Sequence, residues 1–171
     1  TGTIDVISRG SGSGTRGAFI ELFGIETKNS DGSKTDHTYS GATVANSTRV
    51  VLTDVSGDER AIGYISLGSL SSKVKALKID GVSATAANIK NGTYKIARPF
   101  NIVTKSNLNA QSKDFISFIL SAQGQKIVSD NGYIPLDNTS EYKASGASGK
   151  ITVAGSSSVT PVMEKLAEAY E

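Results

Sequence analysis

The chain contains no cysteine, and that absence removes disulfides, thiolate metal sites and cysteine nucleophiles at once. It leaves the cellular compartment open. A single histidine, His37, provides no histidine cluster for a metal. It stands in the polar stretch NSDGSKTDHTYSG, where a solvated loop histidine is the plain reading. Lysine and arginine form no run, and the formal net charge is only +2, so the electrostatic footprint of a nucleic-acid binder is missing. No apolar run is long enough for a membrane span, and no basic-then-apolar leader opens the chain. An exported protein with this sequence is therefore expected to be a mature chain or a piece of one.

What is present is ordinary for a globular protein: 37% hydrophobic and 20% charged residues in 171. That length suits one domain or parts of two small lobes. Near the N-terminus TIDVIS (3–8) is β-branched and apolar, which predicts a buried strand. SRGSGSGTRGAF (8–19) follows, rich in small residues. Ala18, Phe19, Leu22 and Phe23 then fall at helical spacing, with Gly24 as the helix stop. The unit reads strand, tight turn, helix.

Residues 27–41 are polar, with a turn at Asp31-Gly32. Val44, Val51, Leu52 and Val55 fit a second helix, ended at Ser56-Gly57. AIGYISLG (61–68) and KVKALKI (73–79) are predicted strands, the second followed by a turn at Asp80-Gly81. GTYKIARPFNIVTK (92–105) is predicted as one or two strands bent at Pro99. Between Ser112 and Asn131-Gly132 one broad apolar face predicts a single helix, with Gly124 inside it. NTSEYKASGASGK (138–150) reads as a linker. Then ITVAGSSSVTPVMEKLAEAYE (151–171) repeats the opening pattern: strand, small-residue turn, helix.

Both turns carry the chemistry of an anion cup. A helix N-terminus offers unpaired N–H groups and partial positive charge. Small residues let an oxyanion approach that backbone closely. Ser13, Gly14 and Thr15 supply donors at the first turn, and Ser156–Ser158 at the second. Arg9 adds a planar charged fork. Each feature has a plainer reading: a flexible loop, helix capping by the serines, a surface ion pair for Arg9, a structural arginine for Arg98. No general base accompanies either turn. A serine–histidine pair needs His37 to fold back onto Ser13 or Ser157, and the nucleophile-elbow pattern is absent. Gly12, Gly14 and Gly17 do satisfy the dinucleotide fingerprint G-x-G-x-x-G. The acidic residue required some twenty positions on has candidates in Asp31 and Asp36, but no apolar strand precedes them. Thr15-Arg16 replaces the lysine and hydroxyl of a Walker loop.

SRGSGSGTRGAF resembles the arginine-plus-GSGT loop of phosphate-binding proteins of the ABC-type phosphate transport system. AIGYISLG, VKALKIDGV, NGTYKIARPF and GQKIVSDNGYIPL are similar to later segments of that family, in its order. ITVAGSSSVTPVMEKLAEAYE is similar to its mature N-terminal strand, loop and first helix. The resemblance implies an α/β fold, periplasmic-binding-protein type II-like, with parts of two lobes joined by crossover strands. It implies a GSGT-loop lobe over 1–95, a crossover and C-terminal helix of the other lobe over 96–145, and that lobe's N-terminal strand-loop-helix over 146–171. It implies a binder, not an enzyme: an extracytoplasmic protein, periplasmic or anchored at the cell surface, that captures inorganic phosphate for an ABC permease without a cofactor. Arg9, Ser13, Gly14, Thr15, Ser157 and Ser158 match the family's phosphate-holding positions. The dinucleotide reading through Gly12, Gly14 and Gly17 is the alternative.

The resemblance also has departures. Some relatives carry an acidic residue where Ser11 stands. The family's N-terminal piece lies here at the C-terminus, and the long section between it and TIDVISR, with its proton-accepting aspartate, is missing. A fragment of a longer parent, a permuted chain, and a second chain supplying that section all accommodate this. A site without that carboxylate is expected to be incomplete and weak or unselective.

Overall fold

The computed structural model describes residues 2–171, which form two compact units. The first comprises the chain up to Arg98 together with Ser156–Ser158; the second comprises Pro99–Gly155 and Val159–Glu171.

The first unit is built on a parallel sheet. β1 (Asp5–Arg9) lies between β4 (Thr43–Ala45) and β5 (Ala61–Ile62), parallel to both. Arg9 is in register with Ala45, and Asp5 with Ala61. Ile7, Ala45 and Val51 form the core, with Val50, Val55, Ala61 and Ile65 packed on them. β1 buries its last three residues, Ile7, Ser8 and Arg9, along the stretch that pairs with β4.

α1 (Gly14–Leu22) follows the glycine-serine turn, as the sequence pattern predicts. Ser13 caps it by accepting the Arg16 N–H. At its other end Gly24 adopts φ +64°, and the Ile25 N–H reaches back to the Ile20 carbonyl. This left-handed stop is open to glycine at little steric cost. The polar stretch after it is not all loop: β2 (Glu26–Lys28) and β3 (Lys34–Asp36) form an antiparallel hairpin around Asp31-Gly32. Three-residue strands of charged and hydroxyl side chains carry no apolar alternation, so the pattern hides them.

α2 (Thr48–Gly57) starts later than its apolar spacing suggests. Val44 belongs to strand β4, and Ser47 caps the helix by accepting the Val50 N–H. AIGYISLG contributes only two strand residues, and KVKALKI forms no strand. The Asp80-Gly81 turn is nevertheless there, with φ of 50° and 79° at its two central residues and a bridge from Ile79 to Val82. The five-residue α3 (Ala86–Lys90), capped by Thr85, is too short to show an apolar face in sequence.

The second unit is helical among its described residues. The single helix expected over 112–131 is two: α4 (Ala110–Ile119) and α5 (Ala122–Asp130). Ser121 divides them. Its hydroxyl donates to the Phe118 carbonyl and accepts the Gly124 N–H, ending one helix and capping the next. A Cβ on Gly124 would collide with the Phe118 carbonyl, so the glycine is what permits this tight break. α6 (Thr160–Tyr170) completes the unit, with Phe115, Phe118, Ile119, Tyr133, Val162 and Leu166 as its core. The expected strands over 92–105 and 151–153 are absent. Their backbones have no strand partner among the described residues, and Phe100, Ile102, Val103 and Val153 stay exposed. A strand is defined by its neighbour's hydrogen bonds, which no periodicity can supply.

Candidate functional site

The carboxyl ends of β1 and β4, with the first turns of α1 and α2 just beyond them, gather the polar residues of the first unit. Open α/β sheets place their ligand crevices at strand carboxyl ends.

Arg9 is only 4% exposed. Its guanidinium donates to four acceptors: Nε to the Ala45 carbonyl at 3.1 Å, Nη1 to Thr48 Oγ1 at 3.3 Å, and Nη2 to the Asn46 carbonyl at 3.5 Å and Ser157 Oγ at 3.1 Å. Each of these partners is uncharged. A guanidinium has five N–H donors, so one remains, and the 3.5 Å bond is weak. Among the described residues no carboxylate pairs with Arg9. Burying a charge without a counter-charge is costly. The surface ion pair considered for Arg9 is thereby corrected.

The backbone of Arg9 is held as firmly. Its N–H donates to Tyr64 Oη at 3.1 Å, and that phenol lies 3.0 Å from Ser8 Oγ. Phe19 stacks on the Tyr64 ring, centroids 4.0 Å apart and planes 5° from parallel. The Arg9 carbonyl accepts from Arg16 Nη1 at 2.8 Å.

The serines stand beside this fork. Ser157 Oγ lies 3.3 Å from Thr48 Oγ1 as well as on Arg9. Ser158 is 2% exposed, and its Oγ sits 2.9 Å from Thr15 Oγ1 and 2.8 Å from Ser156 Oγ. Arg9 and Thr15 are thus each joined directly to the 156–158 turn, and Ser13 and Gly14 lie at the α1 start next to Thr15. The Ser13 N–H is spent on the Gly10 carbonyl, and its Oγ accepts the Arg16 N–H. A hydroxyl that accepts can still donate, so this bond leaves the Ser13 O–H able to donate. The N-cap of α6 is Val159, whose side chain makes no capping bond.

The glycines of the turn are not explained by the fold. Gly12 and Gly14 have no positive φ. A Cβ on Gly12 would meet nothing within 4 Å, and one on Gly14 would make only an ordinary contact with Ser156. The surroundings of both positions have space for a Cβ.

The dinucleotide alternative fails on three observations. A Cβ on Gly17 would meet nothing within 4 Å, whereas the third glycine of that fingerprint exists for tight helix–strand packing. The strand after α1 is in an antiparallel hairpin, not beside β1. Asp36 is taken by Arg16, at 2.7 Å from Nη2. His37 Nε2 bonds Thr27 Oγ1 at 2.9 Å, away from either serine turn. Arg98 makes an exposed pair with Glu21. No group of His, Asp or Glu among the described residues could hold a metal ion, and no described helix is long and apolar enough to cross a membrane.

Four contributors have no signal of this role in the sequence: Thr48, Tyr64, Arg16 and Asp36. Tyr64 and Thr48 lie far along the chain from Arg9 and belong to no local motif. Arg16 stands out only as a departure from the Walker loop, and Asp36 only as a candidate for the dinucleotide fingerprint's acidic residue.

The chain is similar to phosphate-binding proteins. It is 65% identical over 170 residues to the phosphate-binding protein PstS 2 of Streptococcus agalactiae, covering 99% of this chain and 58% of that protein. It is 55% identical over 172 residues to PstS 2 of Streptococcus pneumoniae, covering 100% of this chain and 59% of that protein. The chain thus spans under two thirds of the length of these relatives. Among solved structures, the phosphate-binding protein of a phosphate ABC transporter from Streptococcus pneumoniae superposes with a TM-score of 0.80 at 55% identity, over 99% of this chain and 66% of that one. A Clostridium perfringens protein, described as a putative phosphate ABC transporter substrate-binding protein and solved with bound phosphate, gives 0.70 at 39% identity, over 78% and 52%. The model of the PBP superfamily domain matches residues 1–123. With its α/β architecture, parallel sheet and periplasmic-binding-protein type II-like fold, the chain belongs to the PBP superfamily.

Proposed function

We propose that the chain binds inorganic phosphate at the Arg9 cup, as the ligand-holding part of an extracytoplasmic protein that delivers phosphate to an ABC permease. The observation that carries this reading is Arg9: a buried cation whose partners in the fold are all neutral. A bound oxyanion supplies the missing countercharge and charge-assisted, two-toothed bonds. Ser157 and Ser158, the hydroxyls of Ser13 and Thr15 and the backbone N–H groups of Gly14 and Thr15 complete the donor set around it. The names of the relatives and the phosphate in the Clostridium perfringens protein support the choice of anion. The chemistry is recognition, without a cofactor and without a reacting side chain. The permease partner and the compartment belong to the same proposal, supported by the phosphate ABC transporter named for the Streptococcus pneumoniae neighbour.

Selectivity is expected to be poor in this chain. The cup offers one cation and several hydroxyl and amide donors, and among the described residues no carboxylate pairs with Arg9 to accept a proton from a protonated anion. Sulfate and phosphate then compete on nearly equal terms. Isothermal titration of the 171-residue chain with phosphate, sulfate and a nicotinamide dinucleotide tests the reading. Binding of both inorganic anions and not the dinucleotide is expected. Dinucleotide binding without phosphate binding would contradict it.

A further inference from the structure

We infer that Arg16, anchored by Asp36, is a positioning residue that holds the 10–15 turn in its anion-receiving shape; the inference rests on the phosphate reading for its functional meaning.

The turn is short and glycine-rich, with Gly10, Gly12 and Gly14 among its six residues. Glycine backbones lose the most freedom on ordering, so such a turn is mobile unless something closes it. Inside the turn one backbone bond does so, from the Ser13 N–H to the Gly10 carbonyl at 2.9 Å. Arg16 supplies the outer closure. Its Nη1 donates to the carbonyl of Arg9, the residue just before the turn, at 2.8 Å. Its own backbone N–H binds the Ser13 cap just inside it. One residue thus joins the end of β1 to the first turn of α1.

The anchor lies outside the cup. Arg16 Nε and Nη2 reach Asp36 Oδ2 at 3.0 and 2.7 Å, at the end of hairpin strand β3. Asp36 is fixed in turn: its Oδ1 accepts from the Thr38 hydroxyl at 2.6 Å and the Thr38 N–H at 2.8 Å. The Arg16 side chain is 17% exposed, so this fork is partly sheltered, unlike an ordinary surface pair. Arg16 also differs from Arg9 in having a carboxylate. Its charge is neutralised by Asp36, while that of Arg9 is left for the ligand. A pre-closed turn spares the ligand the cost of ordering it, which is preorganisation.

The test measures turn order and anion affinity on the same protein. Backbone ¹⁵N order parameters at Gly12 and Gly14 should be near the rigid value of about 0.85 in the parent chain and fall below about 0.6 in Arg16→Met. Phosphate affinity, by titration, should fall about tenfold with them. Asp36→Asn, which keeps Arg16 but loosens its anchor, should move both in the same direction by less. Arg16→Lys retains one donor for the Arg9 carbonyl and should recover part of the order. Circular dichroism establishes that each variant is folded at the temperature used. Unchanged order in a folded Arg16→Met would overturn the inference. So would an affinity loss with unchanged order, because Arg16 would then act through its charge. If order falls in the variants but the parent binds no phosphate, the positioning role stands and the phosphate reading fails.

Discussion

Among the described residues each unit buries one charge, and the two are treated differently. In the second unit Asp114, on α4, accepts from Tyr142 Oη at 2.5 Å, Tyr170 Oη at 2.7 Å and the Ser145 N–H at 2.9 Å. Those donors come from the linker-like stretch and from α6, so the carboxylate pins both to α4. The Tyr142 hydroxyl, then those of Tyr170 and Ser145, hold its pKa down to about 2. This is a carboxylate satisfied by strong, charge-assisted donors from its own fold. In the first unit Arg9 has carbonyls and hydroxyls, a long fourth bond and a donor to spare. Burial alone does not mark a site. Under the proposed function, a buried charge whose partners in the fold are all neutral does.

The comparison can be broken at either end. The largest effect is expected from Arg9→Lys, which keeps the charge and loses the planar fork. Hydrogen bonds to charged groups are worth about 1.5–3 kcal/mol each, so phosphate affinity should drop by at least about tenfold in a titration. Asp114→Asn should leave anion affinity unchanged and lower the unfolding midpoint by several degrees. Its pH dependence carries the sign. The folded pKa of Asp114 is depressed, so its stabilisation is present above the ordinary carboxylate range and lost as pH falls toward about 2. Acid unfolding curves should therefore be steeper in the parent than in Asp114→Asn, and equal slopes would mean that the Asp114 carboxylate does not pin these segments to α4. Next, Gly12→Ala should raise stability by up to about 1 kcal/mol, since its backbone and surroundings admit a methyl group, while weakening phosphate binding. A stabilised variant with full affinity would mean the ligand does not approach there. A stability effect of similar size belongs to Tyr64→Phe. It keeps the stack on Phe19 and removes the phenol that serves Ser8 and Arg9, at about 0.5–1.5 kcal/mol in a denaturant titration.

The same contrast explains what could be read from the sequence. Strand, turn and helix over 3–24 announce themselves locally, because β1, the Ser13 cap and the Gly24 stop are each short-range features. So does the position of Arg9 at the end of its strand. Its environment is another matter: Ala45, Thr48 and Ser157 come from 36, 39 and 148 residues away. The expected strands over 73–79, 92–105 and 151–153 fail for a related reason. Alternation records which face a residue would bury, while a strand exists only where a neighbour completes its hydrogen bonds. The split between α4 and α5 turns on Ser121 and Gly124, and a continuous apolar face masks it.

The most direct measurement is thermal unfolding of the chain and of its Arg9→Met variant, with and without phosphate, with sulfate alongside. A ligand at a hundred times its dissociation constant adds about 2.7 kcal/mol, roughly 5–10 °C for a protein of this size. The account predicts that shift in the parent with both anions and none in the variant. No shift in the parent, or an equal shift in Arg9→Met, would contradict the claim that the uncompensated charge of Arg9 is the anion site.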